Sequence, residues 1–373
     1  MGAEAVRWLA KHTKAEIVVA GRNEEKARKL VAEVQGNVSM LSVNIEDSGS
    51  LNKAMKDTDV VLSTVGPFYR YGATILKAAI GAGVDFLDIN DDYDASRDSL
   101  DLSSEAQRAG VTAVIGVGAS PGVTNVLARY GADKLDRVDE INTLWCESTT
   151  DPTGFAAMAH WIHIISGNIP TYRFGRWVDV PGLSEPEIVD FPAIGKAKVG
   201  HVGHAEPVTI PRFIKNVQTV TNKGGLLPIE AMTLYRTMMN LGFGSEKEFR
   251  VREGASIPMN DLGVKIVRAM PHFAPETFQR LVSKAPKFGI ALKVNVVGEK
   301  DGKKTRLSYG CAEDVRPLTA IPLAIAAMMV LDGDINVKGV SAPEGAISAK
   351  EFLKELTKAG IEIYETGERK VQL

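Results

Sequence analysis

The sequence predicts an α/β protein in which a doubly wound parallel sheet is joined to a second, α+β domain with a largely antiparallel sheet. Three observations predict it. Five apolar, strand-like runs alternate with helix-like stretches before residue 120, joined by short links, which is the pattern of right-handed βαβ units. One of those runs, DVVLSTVG, is apolar without interruption, as befits a strand buried on both faces of a parallel sheet. Past Val138 the pattern gives way to an irregular region rich in Pro, Gly and aromatic residues, with strand-like pieces and a hairpin turn at EKDGKK. A length of 373 residues accommodates two domains.

Taken in order, GAEAVRWLAKH is a helix with Ala5, Val6, Leu9 and Ala10 on one face, and EIVVAG is a strand. NEEKARKLVAEVQ is an amphipathic helix with Asn23 placed as its cap and Glu24 and Glu25 in its first turn. VSMLSVNI is a strand and SGSLNKAMKD a short helix, followed by DVVLSTVG. YGATILKAAIGAG is a helix ended by glycine, VDFLDI a strand, SRDSLDLSSEAQRAG a helix, and VTAVIGVGA the fifth strand. The helix PGVTNVLARYGADKL follows with Pro121 at its start. VDEINTLWCES is a strand that leads away from this sheet, and VQTVTN, ALKVNVVGEK and TRLSYGCA are strand-like pieces of the second domain. LTAIPLAIAAMMVL is too short to span a bilayer and reads as a buried helix returning to the first domain or to the seam between domains. The tail SAKEFLKELTKAGIEIYETGE is a capped helix and then a strand.

Composition excludes several classes. The net charge is −2 with acids and bases interspersed, so no basic nucleic-acid surface is expected. Two distant cysteines, Cys146 and Cys311, fit a reducing compartment without a disulfide framework. Glu4, Arg7, Lys11 and Lys14 break the first apolar stretch, so no signal peptide is visible and a soluble, cytoplasmic protein without membrane partners is expected.

A dinucleotide fold opens with a strand, a tight glycine turn and a helix, so that the pyrophosphate sits on the helix N-terminus. Here Gly2 opens a helix directly. Gly2, with Ala3 beside it, fits as the last glycine of G-x-G-x-x-G, the first two falling upstream of Met1. Alone, MGAEAV reads as a frayed terminal helix; the five strands behind it favour the fingerprint. The missing strand would then belong mid-sheet, between EIVVAG and DVVLSTVG. The expectation is a longer gene product, or a fold with a gap that binds cofactor poorly.

Where an NAD enzyme places Asp or Glu for the ribose 2′-OH, this chain has Ala20 and Gly21, then Arg22 and Asn23. A guanidinium beside a short polar residue suits a 2′-phosphate, which favours NADP over NAD, although a solvated Arg at a helix start looks the same. Thr64, Val65, Gly66 and Pro67 follow the DVVLS strand at the carboxyl edge of the sheet, where ligands bind. Asp88, Asn90, Asp91, Asp92 and Tyr93 stand at the same edge; carboxylates there can orient an amine or accept a proton, or cap the next helix. Gly118 and Asn125 flank the following helix start. In the second domain His201 and His204 lie three apart in a Pro/Gly-rich loop with no Cys or carboxylate cluster at metal spacing, so no metal is expected. His160 and His163 read as part-buried packing residues.

As a set, GRNEEKARKL, STVGPF, GVDFLDINDDYD, GASPGVTNVLARYGADKLD and GVSAPEGAISAKEFLKEL resemble the saccharopine dehydrogenase/reductase-like family, which includes lysine 6-dehydrogenase and carboxynorspermidine dehydrogenase. The resemblance spans most of the chain. It implies a Rossmann domain of residues 1–137 completed by about 316–373, and a substrate and dimerisation domain of 138–315, hence a homodimer. It also implies hydride transfer at a C–N bond of an amino acid or an amine or imine derived from one. Gly2, Ala3, Arg22, Asn23, Thr64, Val65, Gly66, Pro67, Asn90 and Gly118 would surround NADP. Asp92, Tyr93 and His204 would handle the proton and place the amine, Arg212 and Lys223 would meet a substrate carboxylate, and Asn125 would line the substrate site. Two departures matter: Ser120 stands where the family often has Asp, and residues 150–235 look particular to a subgroup. The alternative is a non-catalytic dinucleotide-binding sensor or scaffold on the same fold.

Overall fold

The computed structural model describes residues 1–149, 154–252, 254–284, 289–365 and 369–370. The chain divides into two compact units: Met1–Val126 with Arg316–Gly360, and Leu127–Val315 with Ile361–Leu373.

The first unit runs α1 (Gly2–His12), β1 (Ile17–Gly21), α2 (Glu24–Glu33), β2 (Val38–Ser42), α3 (Ser48–Met55), β3 (Val60–Ser63), α4 (Phe68–Ala82), β4 (Asp85–Asp88), α5 (Tyr93–Asp101), α6 (Ser103–Arg108), β5 (Thr112–Val114) and α7 (Val123–Ala132). Inside α7 the chain passes to the second unit. There it forms β6 (Arg137–Ser148), α8 (Phe155–Ile164), β7 (Asn168–Arg173), β8 (Arg176–Pro181), β9 (Glu187–Phe191), β10 (Gly195–His201), α9 (Glu206–Phe213), β11 (Thr219–Leu227), α10 (Ile229–Asn240), β12 (Glu248–Arg252), β13 (Ala255–Pro258), α11 (Met259–Phe273), α12 (Pro275–Lys284), β14 (Ile290–Lys300) and β15 (Lys303–Glu313). It returns through α13 (Val315–Leu331), β16 (Gly339–Ser341), α14 (Pro343–Ala346) and α15 (Ala349–Lys358), and ends with β17 (Tyr364–Glu365) and β18 (Arg369–Lys370).

All five expected strands of the first unit form, and all are parallel, but in two ladders. β1 pairs with β2, while β3, β4 and β5 form a second ladder that β16 extends from the far end of the chain. Among the described residues no strand pairs with the second edge of β1 or of β3. The expected single helix over SRDSLDLSSEAQRAG begins earlier, at Tyr93, and breaks at Leu102. There the Ser103 hydroxyl bonds both backbone groups of Val340 in β16, with N···O and O···O distances of 3.0 and 3.3 Å. The core of this unit gathers Leu51 and Met55 from α3, Ile75, Leu76 and Ala79 from α4, and Phe86, Ala113 and Ile115 from the sheet. Each such large apolar side chain contributes about 1.5–3 kcal/mol on burial. From Leu318 to Val330 α13 is buried on almost every side, as its largely apolar sequence requires.

The second unit is built on a mixed sheet in the order β18-β17-β15-β14-β6-β11-β10-β9, with β7 on β11 and β8 on β7. Among the described residues, only β6 and β11 run parallel in it. The hairpin expected at EKDGKK joins β14 to β15. The tail strand differs from expectation. β17 pairs antiparallel with β15 (Glu365 opposite Tyr309), so the segment from Ile361 runs with the second unit. The open edge of β15 offers unpaired backbone groups that a two-residue strand can satisfy. Among the described residues no helix is long and apolar enough to cross a membrane.

Candidate active site

In the first unit the strand ends converge on the features that sequence reading singled out. Gly2 starts α1 hard against the end of β3: a Cβ there would lie 2.8 Å from Thr64 Oγ1. A Cβ here would press on the Thr64 hydroxyl, so glycine lets this helix N-terminus, with its unpaired N–H groups, sit close to the Thr64–Pro67 link. Arg316 lies near enough to matter electrostatically. The Met1 ammonium is pushed below its ordinary pKa by burial first and by the Arg316 charge second. Sequence reading missed Arg316, which is distant in the chain and carries no local signal. Ala3 is exposed beside Gly2. At the end of β1, Asn23 Oδ1 accepts the Lys26 N–H at 2.9 Å and caps α2. Arg22 beside it is exposed, and no partner holds its guanidinium among the described residues.

Other predicted residues of this unit are engaged internally. Asn90 is fully buried; its Oδ1 accepts the Asp92 N–H at 3.0 Å and its Nδ2 donates to Ser96 Oγ at 3.3 Å. Asp92 is equally buried, and its Oδ2 accepts the Tyr69 N–H at 2.9 Å. It thereby supplies α4 with the carboxylate cap that Pro67, at the N-cap position, lacks. Tyr93 opens α5 with the Arg97 guanidinium 5.8 Å from its ring centre. Gly118 donates its N–H to the Pro121 carbonyl at 2.9 Å, which closes the loop ahead of α7. Asn125 is a buried strut: it accepts from the Gly122 N–H at 3.0 Å and donates to Glu344 Oε2 at 2.8 Å.

In the second unit His204 sits just ahead of α9, 2% exposed, with its Nδ1 2.7 Å from Oε2 of Glu206, which is fully buried. The Trp145 and His160 rings lie 5.6 and 5.4 Å from the His204 ring, and Trp161 packs edge-on against Trp145. Trp145 is fixed twice. Its Nε1 donates to Asn222 at 3.0 Å, and Gly224, its register partner on β11, has no room for a Cβ, which would come 2.4 Å from the indole. Glu206, Trp145 and Trp161 were missed in sequence; Glu206 follows His204 by two residues, and only the backbone turn into α9 makes them neighbours. His201 and His204 face different partners. Arg173 forms a two-point ion pair with Glu185 and approaches His201 Nε2 at 2.8 Å. Burial depresses the His201 pKa, and the Arg173 bond holds Glu185 down to about 2. Lys223 is committed to Glu187 at 2.8 Å and to the Glu185 carbonyl at 2.9 Å, so a substrate carboxylate would compete with Glu187 for it. Arg212 lies with its guanidinium 5.6 Å from the Trp177 ring centre.

A parallel α/β unit carried in one chain with a mixed-sheet unit is an architecture shared by dinucleotide-dependent oxidoreductases. The chain belongs to the saccharopine dehydrogenase family: the family's NADP-binding domain matches residues 1–114 and its C-terminal domain residues 167–361. It is similar to carboxynorspermidine synthase of Vibrio cholerae, at 24% identity over 97% of this chain and 94% of that protein. It is also similar to the NADP(+), L-glutamate-forming saccharopine dehydrogenase of Pyricularia oryzae, at 22% identity over 94% and 93%. Its fold is that of the L-Glu-forming saccharopine dehydrogenase of Saccharomyces cerevisiae, with a TM-score of 0.67 at 18% identity, covering 100% of this chain and 98% of that one.

Proposed function

We propose that this chain is an NADP-dependent oxidoreductase that transfers hydride at a C–N bond of an amino acid or of an amine or imine derived from one. The observation that carries the reading is Arg22: an exposed guanidinium with no partner among the described residues, at the end of a β1 strand that lacks the acid an NAD enzyme would place there. Gly2 and Arg316 fit the same ligand, the first by letting the α1 N-terminus approach the pyrophosphate, the second by adding positive charge nearby. The name of one relative, which specifies NADP(+) and L-glutamate formation, supports the reading.

The bound nicotinamide supplies or accepts the hydride; the protein must align the reacting carbon, exclude water and manage one proton. His204 is our assignment for the proton. The buried Glu206 carboxylate takes the Nδ1–H, which leaves Nε2 as the nitrogen that can accept a proton. Tyr93 remains a candidate for placing the amine. Asp92, already bonded to Tyr69, serves this reading as the residue that fixes α4. The buried, unpaired thiols of Cys146 and Cys311 suit a reducing cytoplasm.

Titrations of the full chain with NADPH and NADH test the cofactor half. NADPH should bind tighter, and Arg22→Ala should weaken NADPH by about 10- to 100-fold while leaving NADH unchanged. Equal affinities in the wild type sink the NADP preference. On a panel of amines and amino acids, His204→Ala should lower kcat/KM by about 10²- to 10⁴-fold; unchanged kinetics would remove His204 from the reaction.

A further inference from the structure

The loops that follow β3, β4 and β5 carry the Thr64–Pro67 link, Asn90 with Asp92, and Gly118, all at one edge of the parallel sheet. Asp88 stands where they meet. It is the last residue of β4 and 1% exposed, and its Oδ1 accepts the backbone N–H groups of Asn90 at 3.0 Å and Gly116 at 2.7 Å. Its own carbonyl takes the Val117 N–H at 2.7 Å. Gly116 has φ +73°, and a Cβ there would fall 2.8 Å from Pro121 Cγ and 3.1 Å from the Asn90 carbonyl, so the turn that Asp88 holds is open to glycine alone.

The hydrogen bonds continue outward from this point. Asn90 accepts the Asp92 N–H, and Asp92 accepts the Tyr69 N–H in the first turn of α4, directly behind Thr64–Pro67. One polar path thus runs Gly116–Asp88–Asn90–Asp92–Tyr69, touching all three loops. Each of its donors is a backbone N–H at or near a strand or helix end, where a buried group left unsatisfied is costly.

We propose that Asp88 is the positioning residue of the cofactor crevice, coupling the loops after β3, β4 and β5 so that they move and bind as one lip. A second observation separates it from an ordinary turn cap. Its other oxygen, Oδ2, and the Oγ of Ser63, its register partner on β3, are both buried without a hydrogen-bond partner among the described residues. The carboxyl group is therefore held at a place that disfavours its charge, which is a cost that the contacts of Oδ1 must offset. The inference rests on the first unit being the cofactor unit, as argued above.

Backbone amide exchange without ligand and NADPH titration, on Asp88→Ala, Asp88→Asn, Asn90→Ala and the Ala double variant, test it. Asp88→Ala should speed exchange at Gly116, Asn90 and the distant Tyr69 by about tenfold, and raise the NADPH Kd by about tenfold, from the loss of one buried acceptor. Asp88→Asn keeps the Oδ1 acceptor and should stay within about threefold of wild type in both. The Ala double variant should be no worse than the weaker single, because both residues act through one path. Unchanged exchange at Tyr69 in Asp88→Ala, or additive losses in the double variant, overturns the proposal. If Asp88→Ala does not fold, Asn90→Ala decides it on the same Tyr69 readout. A wild type that binds neither NADPH nor NADH would defeat the cofactor reading, while Tyr69 exchange would still decide the coupling.

Discussion

Asp88 shows how a single side chain can record its surroundings. Burial, as the largest cause, raises its carboxyl to about 7 from an ordinary 3.8; the Gly116 and Asn90 N–H groups pull the other way, and Asp91 adds to the rise. The folded protein therefore keeps this proton between about 4 and 7, where the unfolded chain releases it. Over that window the folded state binds more protons, so Asp88 makes stability fall as pH rises, by at most about 1.4 kcal/mol per unit, and the loss levels off above pH 7. Asp88→Asn has no proton to lose. Urea midpoints at pH 5 and pH 8 should therefore separate further for the wild type than for this variant; parallel behaviour would show that Asp88 is charged at both. The sequence marked Asp88 only as one of three acids at this edge, with Asp91 and Asp92. Its partner Gly116 comes from another loop, and no pattern in DINDDYD distinguishes Asp88 from Asp91, which is half-buried.

At the scale of elements, the two ladders of the first unit differ in what surrounds them. β5 is buried throughout and β4 nearly so, and β16 covers the outer edge of β5. β1 alternates between half-buried and exposed residues, β2 mixes the two, and among the described residues one edge of β1 carries no ladder partner. A two-stranded pair is marginal by itself and opens locally at low cost. Amides of Val18 to Ala20 and Ser39 to Leu41 should therefore exchange faster than those of Phe86, Leu87, Ala113 and Val114. Equal protection across both ladders would mean that the outer pair is held by something other than its own hydrogen bonds. Helix caps were legible at this scale: Asn23 caps α2 as its place before Glu24 and Glu25 implies. The cap of α4 was not, because Pro67 offers no side-chain acceptor and Asp92 reaches Tyr69 from a different loop.

For the whole molecule, the second unit owes its layout to long-range strand pairing. β6 lies between parallel β11 and antiparallel β14, and the tail strand β17 closes the outer edge of β15. We propose a homodimer, on the strength of the family resemblance. Sedimentation equilibrium should then return twice the 40.2 kDa chain mass, and a species of chain mass at micromolar concentration would contradict it.

The sequence by itself determined the fold class and the five strands of the first unit. Apolar runs, periodicity and glycine or cap residues act over a few positions and can be read in place. It also singled out Gly2, Arg22 and His204 as candidates, whose neighbours in the chain give each a recognisable setting. The tertiary structure alone decided what those residues touch: Thr64 against Gly2, Arg316 near Met1, Glu206 on His204, and Glu187 on Lys223. It also brought β16 to β5 and carried the tail to β15. Such partners are set by chain crossings and by the need to satisfy buried backbone and charged groups, and neither leaves a periodic trace in the sequence.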